Sequence, residues 1–221
     1  MKKLSLLLVT SIFINLSLLN CKNFSSNDKK NTNSQDEKTN LENSIVLNAN
    51  LATESELVKL DLSPDIVSLI MSNRPFLSIN DFNKVLDDYN KEEFFKKIFV
   101  PLNLNTANES DFHMIPGVGK KMAHEFVEYR PYSSIEVFKR EIGKYVDDSE
   151  VIRYLNYVFV PVELNTSRES DINNLPGVGD KMAHEFIEYR PYKNINHFRR
   201  EIGKYVDKKE LMRLERFVYL K

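Results

Sequence analysis

A passage written twice constrains this chain more than anything else in it. PGVGKKMAHEFVEYRPY at residues 116–132 returns as PGVGDKMAHEFIEYRPY at residues 176–192. The surrounding blocks, 105–160 and 165–220, align without a gap and match at roughly 33 of 56 positions, which is the signature of a duplicated module. A more worn copy precedes them. NLATESELVKL at 50–60 aligns with NTANESDFHMI at 105–115, and DIVSLIMSNRPF at 65–76 with KMAHEFVEYRPY at 121–132. Three modules are therefore expected at 46–102, 103–162 and 163–221, the first without the glycines. Units of this size bury too little surface to be stable alone, so neighbours should pack together.

Within the second module, Asn105 and Thr106 precede a short helix expected over 107–114. Pro116, Gly117, Val118 and Gly119 then break the chain, because glycine tolerates backbone conformations that other residues avoid. A second helix is expected over about 119–130, with Met122, Phe126 and Tyr129 on one face. Pro131 should stop it. Helices near 135–141 and 148–157 complete the unit, and the third module repeats the plan with helices at 195–201 and 207–219. The fold class is all-α.

The first 45 residues differ in kind. Lys2 and Lys3, an apolar run to Leu19 and then Cys21, the sole cysteine, have the order of a secretory signal. The run is short for a membrane span and contains Asn15. Cys21 after LSLLN resembles a bacterial lipoprotein box, which implies a signal peptide over 1–20 and lipid on Cys21. Residues 21–45, rich in Asn, Ser, Lys and Asp, read as a disordered tether. The expected location is the bacterial cell envelope, lipid-anchored outside the cytoplasm.

Helix, PGVG hairpin and helix, with Ala123 four residues after the second glycine, resembles the helix-hairpin-helix motif. The longer string LNTANESDFHMIPGVGKKMAHEFVEYR resembles the domain of ComEA-type competence DNA receptors. That resemblance implies tandem helix-hairpin-helix modules and sequence-independent binding of DNA. The phosphates would lie on the backbone of Gly117, Val118 and Gly119 and of Gly177, Val178 and Gly179. Lys120, Lys121 and Lys181 would add ionic contacts. The second hairpin of each module departs from the family pattern: it keeps only Gly143 or Gly203, with Glu141 or Glu201 where another glycine belongs.

Two features oppose a DNA reading. Residues 105–221 hold about 19 basic and about 19 acidic side chains, so no overall electrostatic footprint marks a DNA binder. Asp180 also replaces Lys120 in the third module. Lys193, Arg199, Arg200, Lys204, Lys208 and Lys209 nevertheless offer that module a local basic face. The alternative is a non-catalytic interaction or structural lipoprotein with an envelope protein partner. His124-Glu125 and His184-Glu185 start like a zinc-protease motif but lack its second histidine, so no metal is expected. No nucleophile, base and orienting group occur together, and neither enzyme activity nor a cofactor is expected.

Overall fold

A computed structural model describes residues 46–86 and 91–221. The expected signal peptide, Cys21 and the tether lie outside these residues. The described residues form three copies of one four-helix plan. The first has β1 (Leu47–Asn48), α1 (Glu54–Val58), α2 (Pro64–Asn73), α3 (Ile79–Val85), α4 (Lys91–Phe95) and β2 (Ile98–Phe99). The second has β3 (Leu102–Asn103), α5 (Glu109–Phe112), α6 (Lys120–Glu128), α7 (Ile135–Ile142), α8 (Asp148–Tyr154) and β4 (Val158–Phe159). The third has β5 (Val162–Glu163), α9 (Glu169–Asn173), α10 (Asp180–Glu188), α11 (Ile195–Ile202), α12 (Lys208–Glu215) and β6 (Val218–Tyr219). Helices dominate, as the sequence implies, though most are a turn shorter than their apolar pattern.

The two-residue strands give no readable period in the sequence. Each pairs in parallel with the strand at the other end of its own module: Leu47 with Ile98, Leu102 with Val158, Val162 with Val218. The chain thus leaves each unit beside the point where it entered. Phe99 and Phe159 in the repeated Phe-Val-Pro carry their rings across the joints. Phe99 meets Tyr157 edge-on at 5.1 Å and Phe159 meets Phe217 at 4.7 Å. One continuous apolar core runs through the first two modules, and the third has its own, to which Phe159 contributes.

The Arg-Pro-aromatic triplet is a clasp inside each module. Arg130 Nε donates to the Leu104 carbonyl at 2.5 Å and its Nη2 to that of Ala107 at 2.6 Å, satisfying carbonyls of the segment that leads into α5. Arg190 repeats this on Leu164 and Ser167. Arg74 makes only the first bond, to Ala49, and its Nη2 is buried without a partner. Beside each arginine an asparagine side chain grips the following aromatic residue at both ends of its peptide. Asn105 Nδ2 donates to the Tyr132 carbonyl at 2.9 Å and Asn105 Oδ1 accepts from its amide at 2.7 Å. The rings of Phe76, Tyr132 and Tyr192 fill the core, and the peptide before each proline is cis.

The third module also folds back on the first. Arg216 donates to the carbonyls of Phe76 at 3.3 Å and Pro101 at 3.0 Å. Burial lowers its guanidinium to about 10. No helix among the described residues is long and apolar enough to cross a membrane.

Candidate nucleic-acid interface

The bend between α5 and α6 needs glycine at one position for its backbone and at another for its open surface. Gly117 sits at φ +79° and Gly177, between α9 and α10, at +70°, a region that costs an L side chain roughly 1 kcal/mol or more. The worn first module keeps the geometry without the glycine, with Asp61 at φ +58°. Val118 and Val178 point inward and are buried. Gly117, Gly119, Gly177 and Gly179 remain exposed, as do Lys120, Lys121 and Lys181.

Gly119 is the residue that matters for an anion. It is the N-cap of α6, in extended geometry (φ −83°, ψ 173°), with no side chain to accept from the first-turn amides. Gly179 caps α10 in the same way. Nothing lies within 4 Å of where a Cβ would stand on either. Amides at a helix start have no partner within the helix, and the helix dipole adds positive potential there. Several of the other described helices close this opening with a side chain. Ser63 Oγ accepts from Ile66 N in the first module, and Ser134 Oγ from Val137 N in the second.

The second hairpin of the second and third modules is closed outright. Asp147 caps α8 by accepting from the Glu150 amide at 2.9 Å, and Asp207 caps α12 by accepting from Glu210 at 2.8 Å. The Glu150 amide, then the Ser149 hydroxyl, hold the Asp147 carboxyl below its ordinary range. A carboxylate already occupies the place a phosphate would take. Gly143 and Gly203 are needed for packing, since a Cβ there would lie 2.7 Å and 2.6 Å from backbone carbonyl oxygens. Glu141 pairs with Arg140 and Lys144, and Glu201 with Arg200 and Lys204.

Electrostatics separate the two open hairpins. The first turn of α6 contains Lys120 and Lys121 and no acid, whereas that of α10 begins with Asp180. Of the six cations expected to form a local basic face on the third module, three are ion-paired. Arg199 is tied to Glu215, and Arg200 and Lys204 share Glu201. Around the Gly117 bend an open groove of about 690 Å³ reaches onto the first module, with Asn83, Lys91 and Glu92 on its far wall and His113 beside the bend.

These hairpins match a known pattern. A family model described as the helix-hairpin-helix motif matches residues 97–142. Residues 97–142 therefore carry a helix-hairpin-helix motif. The matched segment holds α5, the Gly117 bend, α6 and α7. Comparison with curated proteins and with solved structures returns no match. The helix-hairpin-helix of the third module is placed by its repeat of the second, residue for residue through Gly177, Val178 and Gly179.

Other residues singled out in the sequence have structural partners. His124 stands between Glu109 at 3.6 Å and Glu128 at 3.7 Å on the exposed face of α6. Tyr132, Tyr154, Tyr157 and Tyr192 are buried, while Tyr129 and Tyr145, like Tyr189 and Tyr205, pair through their hydroxyls at 2.7 Å. Sequence reasoning missed Arg153 and Arg213, which stand beside the two helix-hairpin-helix bends. A Cβ on Gly117 would lie 3.3 Å from Arg153 Nη2, and one on Gly177 3.1 Å from Arg213 Nη2. Their identical place in the two repeats was the available signal.

Proposed function

We propose that this protein binds DNA without regard to sequence, holding phosphates on helix-hairpin-helix backbone amides, and that it acts without catalysis while tethered to a membrane. One observation carries the binding half: the exposed, uncapped start of α6 at Gly119, followed by Lys120 and Lys121. Contacts of that kind read the phosphate backbone and carry no base information. With about four phosphates engaged, log affinity falls against log salt with a slope of about −3.6. Fluorescence anisotropy with a mixed-sequence duplex at low salt measures this. No binding at tens of micromolar protein ends the reading.

The tether half rests on the order of Lys2, Lys3, apolar run and Cys21. Lipid on Cys21 would place the modules on the outer side of a bacterial membrane, in the cell envelope. In producing cells, radiolabelled palmitate is expected to enter the wild-type chain and not the Cys21→Ser variant. Equal labelling of both removes the anchor.

A second reading, an anchored scaffold for an envelope protein partner, is favoured by the third module. There Asp180 opens the helix that follows the bend and Arg216 is bound to the first module. Pull-down from envelope extract that recovers no protein, with DNA binding intact, counts against it.

A further inference from the structure

One arginine treats the two near-identical bends differently. Arg213 follows Gly177 by 36 residues, and Arg153 holds the same place after Gly117. Both are aligned by a glutamate one turn earlier on the last helix of the module. Arg153 Nε and Nη2 donate to Glu150 at 2.7 Å and 2.6 Å, and Arg213 does the same to Glu210. Each guanidinium also lies over a ring, Tyr154 at 5.0 Å in one case and Phe217 at 5.3 Å in the other.

Beyond that the two part. Arg213 is drawn beneath its bend, 2 % exposed, with Nη1 donating to the Pro176 carbonyl at 2.6 Å and Nη2 reaching the Gly177 carbonyl at 3.4 Å. Leu51 of the first module closes the other side, its Cδ1 only 2.7 Å from where a Gly177 Cβ would stand. Arg153 is 31 % exposed at the rim of its bend, and among the described residues its side chain bonds Glu150 and the Tyr154 and Tyr157 hydroxyls and not the hairpin carbonyls.

We propose that Arg153 is a phosphate-contacting residue of the Gly117 hairpin, that Arg213 is its counterpart diverted to holding a bend, and that the phosphates therefore gather around one working hairpin. This rests on the DNA reading above. Glu150 holds the Nε–Nη2 edge of the guanidinium, so the group is already ordered when an anion arrives and the anion would meet its Nη1 side. The third hairpin instead serves as a joint between the third module and the first, and Asp180 suits a site that meets no phosphate.

The test measures duplex affinity by anisotropy at several salt concentrations for the full chain and four variants, with melting temperatures alongside. Arg153→Gln is expected to weaken binding on the order of fivefold and to flatten the salt slope by about 0.9, the loss of one phosphate contact. Arg153→Lys should recover the slope, because a point charge still meets the phosphate. Arg213→Gln should lower the melting temperature and leave the slope unchanged. Glu150→Gln, which keeps one of the two acceptors for the guanidinium and removes the opposing charge, should tighten binding, and it decides the matter if Arg153→Gln fails to fold. Unchanged slope and affinity in Arg153→Gln, or equal slope losses in Arg153→Gln and Arg213→Gln, overturn the proposal. A wild-type chain that binds no duplex overturns the DNA reading itself, a result distinct from either.

Discussion

Replacing Arg130 by alanine is expected to destabilise the protein by about 2–3 kcal/mol, because it strips two inward-facing carbonyls of their donors at once. Leu104 is fully buried, and Leu104 O and Ala107 O each receive one guanidinium nitrogen of Arg130. The arginine stem also packs on the Phe112 ring, with its guanidinium carbon 5.4 Å from the centroid, so truncation loses contact area as well as hydrogen bonds. For a chain of this size the loss corresponds to a fall of about 5–10 °C in melting temperature. Lysine should restore little, since one ammonium cannot span two carbonyls as a planar fork does. Circular dichroism melts of Arg130→Ala and Arg130→Lys read the effect; a shift within 1 °C would show that the clasp is ornamental.

Gly119→Asp should move stability and binding in opposite directions. Asp147 and Asp207 cap α8 and α12 with φ −73° and −74° and ψ 170° and 173°, and Gly119 already has φ −83° and ψ 173°. No atom stands within 4 Å of the new Cβ. The carboxylate can therefore close on the first-turn amides of α6, gaining a few tenths of a kcal/mol over glycine from the cap and the helix dipole. The same carboxylate occupies the place of a phosphate and repels it. Affinity for duplex should fall by at least about tenfold. The first module has such a closed helix start, with Ser63 as the cap and Pro64 lacking an amide hydrogen.

What the sequence disclosed and what it hid divide along the range of the contacts. The bends at Gly117 and Gly177, the helix stops before Pro131 and Pro191, and the buried Phe126 and Phe186 come from local rules: glycine spacing, proline chemistry and apolar period. The clasp of Arg130 on Leu104 and Ala107 spans more than 20 residues, so the sequence displays the repeated arginine but not its purpose. Arg153 and Arg213 were harder still, being identical letters in two repeats with different surroundings. The differences arise from contacts that are not repeated at all. Leu51 reaches Gly177 because the third module folds back onto the first, and no periodicity encodes a contact made once. Likewise Arg216 replaces Asn156 of the second module and serves the joint to Phe76 and Pro101. Charge was legible only in part, because three of the six cations expected to form a basic face on the third module are paired with Glu201 and Glu215.

The uncapped amides at Gly119 are the chemical basis of the proposed DNA binding, and one paired titration addresses them. Anisotropy of a mixed-sequence duplex is followed at low salt with the wild-type chain and with Gly119→Asp, each sample also melted to confirm that it is folded. Tight, salt-sensitive binding by the wild type, reduced at least about tenfold in a variant that melts no lower, is the expected pair of results. Equal binding by the two folded proteins would place the phosphate, and with it the function, somewhere other than this bend.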